Sequence, residues 1–268
     1  MEKPLVSVIM PVYNTKQWVW EAIESILGQT LSHFELIIVD DCSTDGSYEI
    51  CQKYAQQDKR IRLYRNEKNE GVAYTKNKLI QFCTTDYLAS QDSDDVSSAH
   101  RLYEEYTFLK NHPDYAVVWG NNIIIDENGN TIGHRTYRDD IEKVIFKWSP
   151  VSHPSTMIRK TFFEKVWWYA KIHYVEDYDL WIRFYNAWYK IKNLDQDLLQ
   201  YRIRKGQTKS KYLKQVLKNT IQLQKHYRTQ WVQMSFGDTL YFLGECLLYL
   251  LPSCIIFFFF KKITYKPL

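Results

Sequence analysis

The chain has 268 residues, enough for one generous domain or two small ones whose core needs no staples. Hydrophobic residues make up 45% and charged residues 25%, a balance that excludes both wholesale disorder and a polytopic membrane protein. Lys and Arg number 35 against 31 Asp and Glu, and a net +4 is too mild to call for a nucleic-acid partner. The first hundred residues then alternate strand and helix. Leu5 to Met10 is a short apolar run stopped at Pro11, which predicts a buried strand. Trp18, Val19, Ala22, Ile23, Ile26 and Leu27 recur at helical spacing. Phe34 to Val39 reads as a second strand, and Ser43 or Thr44 is placed to cap a helix carrying Cys51, Tyr54 and Ala55 inward. Ile61 to Tyr64 is a third strand, Gly71 opens a helix through Phe82, and Tyr87 to Ser90 is a fourth strand. Strands joined by single helices need right-handed crossovers, so a largely parallel sheet covered on both faces is expected: the class is α/β.

Beyond His112-Pro113-Asp114 the pattern changes. Tyr115 to Ile125 is strand-like, and Asp126-Glu127-Asn128-Gly129-Asn130 signals a hairpin turn. A helix around 140–148, a strand around 155–158 and a helix over 178–188 follow. The five cysteines (Cys42, Cys51, Cys83, Cys246, Cys254) are scattered without a Cys-x-x-Cys pair, which fits a reducing compartment, and no signal peptide is expected. From Lys209 to Trp231 the chain predicts a basic helix. Leu240 to Phe260 then carries the single charge Glu245, close to the ~20 residues that span a bilayer. Glu245, Pro252 and the run Phe257–Phe260 suit an interfacial segment better than a span, and a basic helix before it suits an anionic leaflet. The alternative is a helix packed on the domain or a homo-oligomer contact. The expected division is therefore 1–208 as a catalytic domain and 209–268 as a membrane-associating extension.

In open parallel sheets, ligands bind beyond the carboxyl ends of the strands. Those ends carry Tyr13-Asn14, Asp40-Asp41, Asn69-Glu70-Gly71 and Gln91-Asp92-Ser93-Asp94-Asp95. An acidic rim repels an anion unless a divalent cation intervenes. If the backbone there is extended, Asp92 and Asp94 point to one side, and two carboxylates suit Mg²⁺ or Mn²⁺. The chain has no glycine-rich dinucleotide fingerprint, P-loop, zinc-protease His-Glu-x-x-His or Gly-x-Ser-x-Gly, which removes the common rivals.

Val6 to Asn14, Ser25 to Thr30, Glu35 to Asp45, Asn69 to Ala73, Gln91 to Asp95 and Glu176 to Arg183 together, in this order, resemble the family 2 glycosyltransferases of GT-A fold. The resemblance implies a GT-A core with a C-terminal helical extension and an inverting transfer of a hexose from a nucleotide-sugar donor, most simply UDP-linked. It implies that Pro11, Tyr13 and Asn14 line base and ribose and that Asp41 reads the uracil edge. Asn69, Lys76 and Ser93 join the donor site. Asp92 and Asp94 hold Mn²⁺ or Mg²⁺ on the pyrophosphate, Asp94 foremost, and Asp177 is the general base. His153, Glu176 and Trp181 fall on the acceptor side. The expected acceptor is a lipid-linked or lipid-anchored glycan at the inner face of the cell membrane; a soluble enzyme acting on protein or free sugar, and a non-catalytic nucleotide-sugar-binding module, are the alternatives. Two departures stand out. Lys76-Asn77 replaces the Arg-Asn of many relatives, and Tyr201-Arg202-Ile203-Arg204 ends in Arg where relatives often have His. Arg204 can contact phosphate but cannot ligate a cation. Trp167-Trp168-Tyr169, with Tyr174, lies just before the expected base and offers faces for a sugar, although core packing competes for these rings.

Overall fold

A computed structural model describes residues 3–204, 212–228, 235–252, 256 and 266–267. Four parallel strands form its N-terminal part: β1 (Val6–Val12), β2 (Phe34–Asp40), β3 (Ile61–Arg65) and β4 (Tyr87–Ser90), in the order β3-β2-β1-β4. Their connections are α1 (Val19–Leu27), α2 (Ser47–Gln57) and α3 (Val72–Phe82). Strand residues divide by parity, as a period of two demands. Val6, Val8, Met10, Leu36 and Ile38 pack with Val19, Ile23 and Ile26 of α1, whereas Ile9, Ile37 and Val39 pack with Leu79 and Ile80 of α3. Both faces are thus covered, which explains why these strands are apolar nearly throughout.

The chain continues through β5 (Val96–Ser97), α4 (Arg101–Asn111), β6 (Tyr115–Ile125), β7 (Thr131–Arg135), β8 (Met157–Arg159), α5 (Lys160–Lys165), α6 (Glu176–Asn186) and β9 (Lys190–Arg202). Antiparallel β8 joins β4 to β6, so the sheet becomes mixed, and β6 and β7 form the expected hairpin. Then come α7 (Leu213–Arg228), α8 (Phe236–Leu250) and β10 (Lys266–Pro267), which pairs with β7. The helix expected at 140–148 is instead a 3₁₀ turn, Ile141–Lys143, with irregular bonds after it. Ile141, Val144, Ile145 and Phe146 are all buried while Glu142 and Lys143 are exposed, but the backbone bonds mix steps of three and four residues and never settle into an α-helix. His153–Ser155 is likewise a 3₁₀ turn, leading into β8 rather than belonging to it.

Strand β9 was not anticipated. Its Asn193-Leu194-Asp195-Gln196-Asp197 reads as a turn, and Asp195 indeed has φ +54° where the register with β6 shifts. Beside it Gly120 admits the approach: a Cβ there would sit 2.5 Å from Leu198 Cγ and 2.7 Å from Gln196 O. Neither Ser43 nor Thr44 caps α2, whose N-terminal flank is Gly46 at φ +97°. Asp45 does related work, accepting from the backbone of Ser47 at 2.9 Å and of Lys16 at 3.0 Å.

Candidate active site

The loops beyond β1, β2 and β4 converge. After β1 the chain turns at Asn14, in the left-handed region at φ +52°. Ser43 Oγ accepts from Asn14 N (3.1 Å), and Asn14 Oδ1 accepts from Thr44 N (2.9 Å), so the loops after β1 and β2 are stitched together. Pro11 is the sixth residue of β1, opposite Val39, and Tyr13 is exposed. Asp41 is buried: Oδ1 accepts from Asn66 Nδ2 (2.8 Å) and Glu70 N (2.9 Å), and Oδ2 from Gly71 N (2.9 Å). Asp41 therefore sets the entry into α3, with Asn69 exposed on the loop between.

Beyond β4, Gln91 to Asp95 is held from beneath by two buried arginines that the sequence reading did not single out. Arg101, the first residue of α4, donates to Ser90 O (2.6 Å), Gln91 Oε1 (3.1 Å) and Ser97 Oγ (3.0 Å). Arg202, at the end of β9, donates through Nε to Asp94 O (2.9 Å) and through Nη2 to Glu21 Oε2 (2.8 Å), while its backbone N–H meets Asp95 Oδ1 (2.9 Å). Ser93 Oγ accepts from Thr15 Oγ1 at 3.0 Å. The backbone here is a turn at Ser93-Asp94, closed by Asp95 N donating to Asp92 O at 3.2 Å, and not the extended stretch on which the expected alternation depends; Asp92 and Asp94 are nonetheless partly exposed, and Ser93 and Asp95 are buried. Burial and the neighbouring Asp94 and Asp92 charges push the Asp95 carboxyl well above the usual carboxylate range, so it belongs to the scaffold rather than to the rim. Asp94 Oδ2 accepts from Arg204 Nε at 2.7 Å.

On the opposite wall, α3 presents Lys76, buried with Nζ 3.4 Å from His153 Nδ1. An ammonium has no lone pair, so Nδ1 accepts; Nε2 then carries the proton and donates to Tyr169 Oη at 2.7 Å. Asn77 clamps the backbone of Tyr169 in both directions, at 2.8 and 3.0 Å. Tyr169 is the point where the two walls meet. Burial raises its phenol, a hydrogen bond with Ser90 opposes this, and the negative charges of Glu176, Asp177 and Asp92 raise it further. Asp177 is the second residue of α6, not its cap, and its Oδ1 accepts from Tyr178 N at 2.8 Å. Glu176 is buried, and Trp181 is fully so, its ring 5.9 Å from that of His153. Trp181 thus backs His153 from within the core and presents no surface to an acceptor. Trp167, by contrast, is 87% exposed and stands on left-handed backbone at φ +67°.

The glycosyl transferase family 2 model matches residues 7–175, well over half of the chain and all of the strand-end loops just described. The chain belongs to glycosyl transferase family 2. It is 33% identical over 219 residues to the O-antigen biosynthesis glycosyltransferase WbnJ of Escherichia coli, covering 78% of this chain and 84% of that one. Among solved structures, Staphylococcus aureus TarS (residues 1–349) in complex with UDP-GlcNAc superposes with a TM-score of 0.63 at 18% identity, covering 90% of this chain and 79% of that one. The mannosyltransferase PcManGT of Pyrobaculum calidifontis, in complex with GDP-Man and Mn²⁺, gives 0.64 at 15% identity, covering 94% and 72%. The fold of this family 2 glycosyltransferase is GT-A-like, with a mixed central sheet, flanking helices and helices at the C-terminus.

Asp92 and Asp94 supply hard oxygen donors of the kind Mg²⁺ and Mn²⁺ take, and Asp94 Oδ1 carries no hydrogen bond among the described residues. No group of three His, Cys, Asp or Glu is placed to hold a metal among those residues. The donor set fits a cation that draws its remaining ligands from a diphosphate and water.

Proposed function

We propose that this chain is an inverting glycosyltransferase that moves a hexose from a nucleotide-sugar donor, UDP-linked, to a hydroxyl of a cell-envelope glycan or lipid-linked acceptor. The observation that carries the reading is the pair of partly exposed carboxylates, Asp92 and Asp94, on the loop beyond β4 of a chain whose residues 7–175 match family 2. In this reading those carboxylates form the cation-binding rim, Asn14 and Asp41 belong to the donor side, and Asp177 is the base. A carboxylate has about four lone-pair sites, and three N–H groups occupy Asp41; the fourth is open to the N–H of a uracil ring. UDP-GlcNAc in TarS and the O-antigen role of WbnJ agree with a nucleotide sugar and an envelope glycan.

Asp92 and Asp94 would hold the divalent cation, which screens the charge growing on the departing diphosphate. Asp177 takes the acceptor's proton as its oxygen attacks the anomeric carbon from the face opposite the leaving group, and a single base with in-line attack inverts that carbon. Lys76, buried between His153 and the face of Tyr169, brings a fixed positive charge to the donor side. The exposed Trp167 face suits the C–H surface of an acceptor sugar.

Membrane association has its own support. On α8, Phe236, Leu240, Leu243, Leu247 and Leu250 are exposed at steps of four and three, one continuous apolar stripe. On α7, Lys214, Lys218 and Lys225 share an exposed face. No described helix is long and apolar enough to cross a membrane, which suits a segment lying on the surface.

The test is a screen of nucleotide sugars with Mn²⁺ by thermal shift, followed by turnover assays of Asp177→Asn. A donor at 100 times its Kd adds ~2.7 kcal/mol of stability. Asp177→Asn should keep that shift and lose roughly 10²–10⁴-fold in transfer rate. Full turnover by the variant would remove Asp177 as base, and no shift with any nucleotide sugar would remove the donor reading.

A further inference from the structure

The carboxylate assigned foremost to the metal is already engaged by a cation of the chain itself. Arg204 Nε is 2.7 Å from Asp94 Oδ2, and its guanidinium lies over the Trp18 ring at 5.0 Å. The two side chains are only 18% and 13% exposed, so the pair is largely sheltered from water. Two residues earlier Arg202 is pinned to Asp94 O and Glu21, which anchors the backbone from which Arg204 reaches. We infer that Arg204 is a tethered competitor of the divalent cation at Asp94, and that the diphosphate of the donor releases it. The inference rests on the donor reading above.

The chemistry follows from what a guanidinium can and cannot do. It stays charged at any working pH and has no lone pair, so it neither yields its proton nor joins a coordination shell. While it holds Asp94 Oδ2, an incoming cation meets a like charge and one donor oxygen fewer. The described residues offer no third ligand to compensate. A diphosphate changes both terms, because it supplies oxygens to the cation and a bidentate oxygen partner to the planar guanidinium. Each ligand then favours the other, and by linkage the coupling is reciprocal. A histidine at this position would ligate the cation directly and remove the competition.

The experiment titrates Mn²⁺ calorimetrically into the full-length protein and into Arg204→Ala and Arg204→His, each with and without UDP. Without UDP, Arg204→Ala should bind Mn²⁺ on the order of tenfold more tightly than the unaltered protein. Arg204→His should bind at least as tightly as Arg204→Ala. UDP should raise Mn²⁺ affinity in the unaltered protein, and by a smaller factor in Arg204→Ala. Equal Mn²⁺ affinity of the two without UDP overturns the inference and leaves the donor reading standing. So does UDP binding that is indifferent to Mn²⁺, which would make Arg204 a permanent stand-in for the metal. Absence of UDP binding in every protein at every Mn²⁺ concentration defeats the donor reading itself, and the inference with it.

Discussion

Asp41 shows how one side chain of the proposed donor site also serves structure. Its two oxygens accept from the backbone of Glu70 and Gly71 and from Asn66, so the carboxylate fixes the path into α3 before any ligand arrives. Gly71, at φ +87°, is the residue type that turn allows without strain. Asp41→Ala should lower stability by about 2 kcal/mol in chemical denaturation, since charge-assisted bonds are lost and the buried Asn66 amide keeps only Thr75 Oγ1 of its two acceptors. A variant that unfolds at the unaltered denaturant concentration would show that Asp41 serves only the ligand. Asp177 differs, being half-buried with one short-range bond, and its removal should affect turnover rather than folding.

At the level of elements, α4 supports the Gln91–Asp95 loop through a fully buried ion pair. Arg101 Nε is 3.1 Å from Glu105 Oε1, and Glu105 Oε2 is buried with no hydrogen-bond partner among the described residues. Arg101 draws the Glu105 carboxyl down, but burial outweighs it and pushes the group up to about 7. The sign follows by linkage. A carboxyl raised in the folded state holds a proton that the unfolded chain has lost, so its contribution to stability falls as pH rises from about 4.5 to about 7. Glu105→Gln keeps an acceptor for Arg101 and removes this titration. Melting temperatures measured from pH 5 to pH 8 should therefore shift steadily in favour of the variant; a constant difference would mean that Glu105 is ionised throughout.

Across the whole molecule, the C-terminal extension is built onto the catalytic core. Leu223 and Tyr227 of α7 join the same core cluster as Tyr178 and Trp181, and Tyr227 Oη donates to Asp179 Oδ1 at 2.8 Å. Removing the chain after residue 208 would therefore strip apolar cover from α6, where the candidate base sits, and is a poor test of membrane binding. Leu243→Glu with Leu247→Glu is better placed, since both side chains are more than half exposed. In sedimentation with vesicles containing anionic phosphatidylglycerol, the unaltered protein should pellet and the double variant should remain in the supernatant, with unchanged melting temperature. Equal partition would point to another occupant for the stripe. The remainder of the apolar run, 253–255 and 257–260, lies outside the described residues.

Local pattern by itself determined the βαβ half, because a strand buried on both faces must be apolar nearly throughout and its helices must carry one apolar face. It also placed Asp41, Asp92 and Asp94 on the loops where ligands meet such sheets, whereas Asp177 was singled out only by the family resemblance. It could not reveal β9, whose polar residues make sense only against β6, nor that Arg101 and Arg202 hold the acidic loop from beneath. A buried arginine looks like any surface arginine until its acceptors, most of them carbonyl oxygens distant in the chain, are brought to it. That Arg204 faces Asp94 across 110 residues is likewise a product of tertiary structure alone, because the pairing of two charges depends on where the sheet carries them and not on either one's neighbours.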